Sequence, residues 1–231
     1  NNLMELQFSG GQPLVLQGGT NVLKLSPSEL SPTDFDLSLD FGEYEIGLNN
    51  VGLGGKIGAV MDFRNNILAK MDRQLGQQAI VIADTMNQQN ALGLDADGRY
   101  GADLFSLDAI QINQSSSNSS LSHNVQIRPE GGKSSEIKTD TYRMTMTSAT
   151  SFEVKGFDVN GNQNGVLVNV DTTVAVPSAD GYYSVPGLGF EVNLTADPTV
   201  NFATGDLYQF TPTRLAAGGL TMSASTGKAL A

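Results

Sequence analysis

Acid–base, metal or nucleophilic chemistry in this chain would have to be assembled from carboxylates, hydroxyls and one imidazole: there are 24 Asp+Glu, one His and no Cys among 231 residues. The missing cysteines remove disulfides, thiolate metal sites and thiol nucleophiles together. A zinc centre without Cys usually takes two or three His, and a Ser-His-Asp triad would have to rest on His123 alone. His123 ends the polar tract Gln114-Ser115-Ser116-Ser117-Asn118-Ser119-Ser120-Leu121-Ser122, whose composition predicts an exposed loop histidine. Glu43 with Glu45, and Asp34 with Asp36, are carboxylate pairs of the kind that perform general acid–base work. Each pair is spaced i, i+2 in a strand-like segment, however, so its members share one face, read here as a solvated sheet face or edge.

Two further stretches resemble the opening of a calcium loop: Asp95-Asp97-Gly98 and Asp158-Asn160-Asn162. Neither completes the ligand set, because the fifth and twelfth positions counted from Asp95 are Arg99 and Ser106. From Asp158 the sixth and twelfth are Gln163 and Asn169. Asx–Gly turns account for both. Gly52-Leu53-Gly54-Gly55 before a helix looks like a phosphate-binding turn but lacks the spaced third glycine and the lysine. No catalytic, cofactor-binding or metal-binding residue is therefore expected, and the chain reads as a non-enzyme.

The formal net charge of −11 argues against a nucleic-acid partner and against an anionic membrane surface, both of which need a surplus of cations. No run approaches the roughly 20 apolar residues that span a bilayer, and no charged-then-apolar leader opens the chain, so a soluble protein without a cleaved signal is expected. Charged residues are only 16%, hydrophobic residues 39%, Gly reaches 26 and Trp is absent. That balance favours a β-rich, turn-rich extracellular or assembly protein.

Around these residues stand the elements that must position them. Leu14-Val15-Leu16, the turn Gln17–Thr20 and Val22-Leu23-Lys24-Leu25 read as a hairpin, and Phe35, Leu37, Leu39 and Phe41 alternate with polar residues as on one sheet face. From about 56 to 92 the period changes. Ile57, Met61, Leu68, Met71, Leu75, Ile82 and Met86 recur at helical spacing, with Lys70, Asp72, Arg73, Gln77, Asp84 and Gln88 on the opposite face. A break near Asn65-Asn66 or Gly76 and a stop at Gly93 are expected. Strands follow at Ala109–Ile112, Val125–Arg128, Tyr142–Thr147, Phe152–Val154, Val166–Val170, Phe190–Leu194, Leu207–Phe210 and Leu220–Ser223, with a helix start over 225–231.

The fold class is thus α+β: mainly β, with one long amphipathic helical segment and an inserted antiparallel β domain. Residues 1–106 with 216–231 are expected to form a rod-like core domain, and 107–215 an outer β-rich domain. The helix stripe has two readings, packing on the chain's own strands or seating helices outside this chain. The second gains weight because a helix of about 35 residues is about 50 Å long, more than the neighbouring hairpins cover.

Several motifs carry a family resemblance. They are Gly11-Gln12-Pro13-Leu14-Val15, Gly54-Gly55-Lys56-Ile57-Gly58-Ala59-Val60-Met61-Asp62-Phe63-Arg64, Gln74-Leu75-Gly76, Ala83-Asp84-Thr85-Met86-Asn87-Gln88-Gln89-Asn90, Gly93–Gly98, Asp103–Ser106 and Gly205–Arg214. In this order they resemble the flagellar hook-associated protein 1 family, the hook–filament junction proteins of bacterial flagella. The resemblance implies a structural, non-catalytic subunit without cofactors, exported unfolded through the flagellar type III apparatus and working outside the cell. It further implies hook protein, a second junction protein and neighbouring copies in a ring as partners, and an export chaperone bound through a C-terminal region not in this sequence. The chain then corresponds to a core fragment lacking the family's terminal helices, and is expected to be monomeric by itself. The alternative is a β-rich secreted adhesin or carbohydrate-binding module, which would have no use for the long helix.

Overall fold

The computed structural model describes residues 5–8, 10–16, 19–28, 31–48, 53–95, 97–159 and 161–223. The fold is mainly β with one long helical run, as the periodicities require. It forms two compact units, Asn1–Leu68 and Ala69–Ala231. The division falls inside the helical run, ahead of the boundary near residue 106 drawn from the motifs.

In the first unit, β1 (Leu6–Gln7), β2 (Pro13–Leu16) and β3 (Gly19–Thr20) form one antiparallel sheet. A second consists of β4 (Val22–Ser28), β5 (Ser31–Asp40) and β6 (Glu45–Gly47). The expected hairpin between 14–16 and 22–25 is corrected here: β2 pairs with β3, and β4 pairs with β5. The reason is register. Leu23 and Leu25 face Leu39 and Leu37 across a ten-residue partner whose alternating apolar face offers far more burial than a short hairpin arm. Leu37, Leu39 and Leu48 are the buried centre, with Leu23, Phe41 and Met61 packed on them. Helix α1 (Gly55–Asp62) runs into a six-residue π-helical segment, Phe63–Leu68. The irregularity contains Asn65-Asn66, where a break was expected; Asn66 donates back to Asp62 at 2.6 Å.

The second unit opens with α2 (Ala69–Ala91), closed at Gly93, whose N–H reaches the Asn90 carbonyl at 3.1 Å. Gly76, the other expected break, lies within unbroken helix. β7 (Phe105–Ser106) pairs with the returning β16 (Thr221–Met222). Between them β8 (Ile112–Gln114), β9 (Asn124–Pro129), β10 (Thr141–Met146), β11 (Ser151–Phe157), β12 (Gln163–Asp171), β13 (Tyr183–Val185), β14 (Phe190–Thr195) and β15 (Leu207–Phe210) make two antiparallel sheets. Their orders are β12-β11-β10-β15-β8 and β13-β14-β9. Their inward side chains share one core, centred on Tyr142, Phe190 and Phe210, whose rings meet at centroid distances of 5.1–5.7 Å. The strand over 109–112 begins instead at Ile112, and β13 has no alternation long enough to announce it. The helix start expected over 225–231 lies outside the described residues.

Candidate functional site

Helix α2 presents three faces. Gly76, Ala79, Ile80, Ala83 and Asn90 are buried. Beside them runs a polar face that is docked rather than solvated. Arg73 donates to the Thr139 carbonyl (3.1 Å) and Gln77 to that of Ile137 (2.6 Å), while Asp84 accepts the Gly132 N–H at 3.0 Å. Asn87 accepts the N–H groups of Leu104 and Phe105 and donates to the Phe105 carbonyl; Asn90 donates to Ala102. Asp72 accepts the N–H of Leu215, which sits at φ 61. Burial pushes the Asp84 carboxyl up, but hydrogen bonds from Ser134, Gly132 and Gln88 outweigh it and hold it below its ordinary value. Helix side chains thus satisfy the backbone groups of the segments that leave and re-enter the β sheets. The sequence places Asn87 and Asn90 on no face, and Asp72, Arg73, Gln77, Asp84 and Gln88 only on the side opposite the stripe. Their signal was available, since 73, 77, 84 and 88 repeat the spacing of 71, 75, 82 and 86.

The third face is apolar and uncovered. Met71, Leu75, Ile82 and Met86 are 57%, 57%, 51% and 43% exposed, and at about 100° per residue they fall within about 60° of one another. Burying such a strip is the large free-energy term open to this helix in an assembly. In the first unit Ile57 and Leu68 are likewise exposed, whereas Met61 packs on Leu37, Leu39 and Leu48.

His123 corrects the expectation of an exposed loop. Its side chain is fully buried, stacked on Phe202 with ring centroids 4.2 Å apart. The polar tract buries it because Ser119 and Ser120 are themselves satisfied by carboxylates, Asp206 (2.6 Å) and Asp197 (2.8 Å). Ser119, His123 and Asp206 contain the residue types of a hydrolytic triad, but the protons run the wrong way. Nδ1 accepts the Asp197 N–H at 3.0 Å, so the neutral ring carries its proton on Nε2 and donates it to Ser119 Oγ at 3.1 Å. Ser119 Oγ–H in turn donates its hydrogen bond to Asp206 Oδ2. Imidazole therefore has no lone pair with which to deprotonate the serine, as nucleophilic catalysis requires. Burial raises the Asp206 carboxyl, but bonds from Ser119 and Ala203 bring it below its ordinary value; the Thr199 hydroxyl and N–H, with Ser120, draw Asp197 down to about 2.

The remaining carboxylates serve local structure. Asp95 Oδ1 accepts the N–H groups of Asp97 and Arg99, and Asp158 Oδ1 that of Asn162, which makes Asx turns of both supposed calcium loops. Asn160 and the side chain of Asp34 lie outside the described residues. Glu45 bonds Lys24 and Ser38, so it is tied into its sheet, while Glu43 is exposed.

Residues 1–105 match the family model of the flagellar hook-associated protein FlgK helical domain. Flagellar hook-associated protein 1 of Salmonella typhimurium is 27% identical over 199 residues, 85% of this chain and 34% of that protein. The chain is thus similar to members of the flagellar hook-associated protein 1 family. The family member of Escherichia coli K12 is 28% identical over 147 residues, 64% of this chain and 24% of that protein. The fold is that of the flagellar hook junction protein FlgK from Burkholderia pseudomallei, with a TM-score of 0.72 at 24% identity, covering 98% of this chain and 39% of that one. The chain spans about a third of the length of the curated relatives it matches. The residues matched by the helical-domain model, 1–105, hold β1–β6 and the helical run, including the exposed face of α2.

Proposed function

We propose that the chain is the central part of a structural subunit of the bacterial flagellum, an adaptor at the junction between hook and filament that works outside the cell after export without a cleaved signal. Its partners on this reading are hook protein, a second junction protein and neighbouring copies, with an export chaperone engaging a part of the protein beyond this sequence. The observation that carries the proposal is the uncovered strip Met71-Leu75-Ile82-Met86 on a helix whose other faces are already docked. A subunit that presents contact surfaces needs such a strip, and a catalyst does not; the inverted proton chain at His123 supports the same conclusion. The strip residues, with Ile57 and Leu68, are proposed as assembly contacts, and residues of about 107–215 as an outer body inserted in the core. An adhesin or sugar-binding module is disfavoured by the 23-residue helix α2.

Deleting the gene in the source bacterium tests the role. Without an adaptor, exported filament subunits have nothing to seat on, so cells should carry bare hooks and release filament protein into the medium. Full-length filaments on the deletion strain would overturn the proposal.

A further inference from the structure

Among the described residues, the two larger sheets of the second unit have four edges, and three are blunted. β8 and β13 are three residues long, and β9 carries Arg128 and ends at Pro129. β12 is different: nine residues, no Pro, no Lys or Arg, and a single charge at Asp171. Among the described residues it pairs only with β11. Long, uncharged edges are the ones that natural sheets normally protect, because their free N–H and C=O groups template another strand.

Its side chains also leave something unfinished. Val166, Val168 and Val170 point to the core, and of these only Val170 is fully buried; Leu167 on the outer face is 53% exposed. We propose that β12 is a self-pairing edge, at which a second copy of this chain adds its own β12 antiparallel about a two-fold axis through Val168. In that register Val166 faces Val170 of the other copy and Val168 faces itself, which completes one apolar row under both sheets. Leu167 faces Asn169, and Asp171 falls opposite Gly165, so no like charges meet. This self-complementarity is what selects a second copy over an unrelated strand. Gly165, at φ 82, closes the regular part of the strand where the pairing ends. A contact this short is weak, and a formal net charge of −11 on each copy opposes it until salt screens the repulsion.

The test is sedimentation equilibrium of the chain up to about 1 mM in about 0.5 M salt, where charges act over only about 4 Å. The apparent mass should climb from one chain toward two. Leu167→Glu with Asn169→Lys sets opposite charges across the two-fold axis, and each also faces its opposite on β11, at Lys155 and Glu153; it should pair at least as tightly as the parent. Leu167→Glu with Asn169→Glu sets like charges across the axis and should weaken pairing at least about tenfold. Both positions are exposed, and circular dichroism checks that each variant is folded. A parent that keeps the mass of one chain throughout, as it would if the edge were reserved for a strand of another protein, overturns the proposal. So do three proteins that associate alike.

Discussion

Gly76 of α2 lies against the carbonyl of Thr213 so closely that a methyl group at residue 76 would occupy the space of that oxygen. The helix and the segment returning from the β sheets therefore meet backbone to backbone, and the neighbouring bond from Leu215 N–H to Asp72 fixes the same contact. In an open helix, Gly→Ala is worth about 1 kcal/mol of added stability. Here the sign should reverse. Gly76→Ala is expected to lower unfolding stability by about 1–3 kcal/mol as the return segment is forced off the helix, measured by denaturant titration; a stabilised variant would show that the segment yields freely.

The helix faces should separate in a mutational series. Ile80 is buried, and Ile80→Ala should cost about 2–5 kcal/mol. Leu75→Ser and Ile82→Ser change exposed side chains and should move the stability of this chain by no more than about 0.5 kcal/mol. Carried in the whole protein, the same two changes should nevertheless impair motility. Thermal melts and swarm plates read the two effects, and strong destabilisation by the serine variants would mean that the strip is core.

That contrast shows what the sequence made legible. The apolar period located α2 and the alternation located seven of the strands in the second unit, because both signals are local. The polar face of α2 was legible in the spacing of Arg73, Gln77, Asp84 and Gln88, but what it docks on was not: Arg73, Gln77, Asp84 and Asn87 bind backbone groups, and backbone leaves no complementary residue type in the sequence. The hairpin error has the same root, since Val22–Ser28 had two possible partners and only the register with Leu37 and Leu39 decided between them. His123 was misplaced because a Ser/Asn tract reads as solvated until the carboxylates that satisfy it, Asp197 and Asp206, are brought up from more than 70 residues away.

His123 should behave as a structural residue. His123→Ala removes a buried ring from Phe202 and leaves the Asp197 N–H without its acceptor, so a loss of about 2–5 kcal/mol is expected. Ser119→Ala should be destabilising as well, by about 1–2 kcal/mol. Neither should change hydrolysis of an activated ester relative to buffer. Parent-level turnover that disappears in Ser119→Ala would mean that the proton chain can reverse.

Acid should release the same loop. Asp197 is drawn from its ordinary value of 3.8 down to about 2 by the Thr199 hydroxyl, the Thr199 N–H and Ser120, and Asp206 is also lowered. A carboxyl whose folded value lies below its unfolded one stabilises the fold fully above the unfolded value, and that contribution fades as pH falls through the folded value. The window for Asp197 therefore runs from near 3.8 down to about 2. Asp40, Glu45, Asp84 and Asp171 are lowered too, so the parent's total acid slope cannot be assigned to one group. The difference between parent and Asp197→Asn can be. At neutral pH the variant should melt lower, because an amide accepts the Thr199 and Ser120 protons less strongly than a carboxylate does. As pH is reduced through the window, the parent should lose its advantage and the two melting curves should converge. Curves that stay parallel from pH 7 to the acid limit would show that the Asp197 cap contributes no charge-dependent stability.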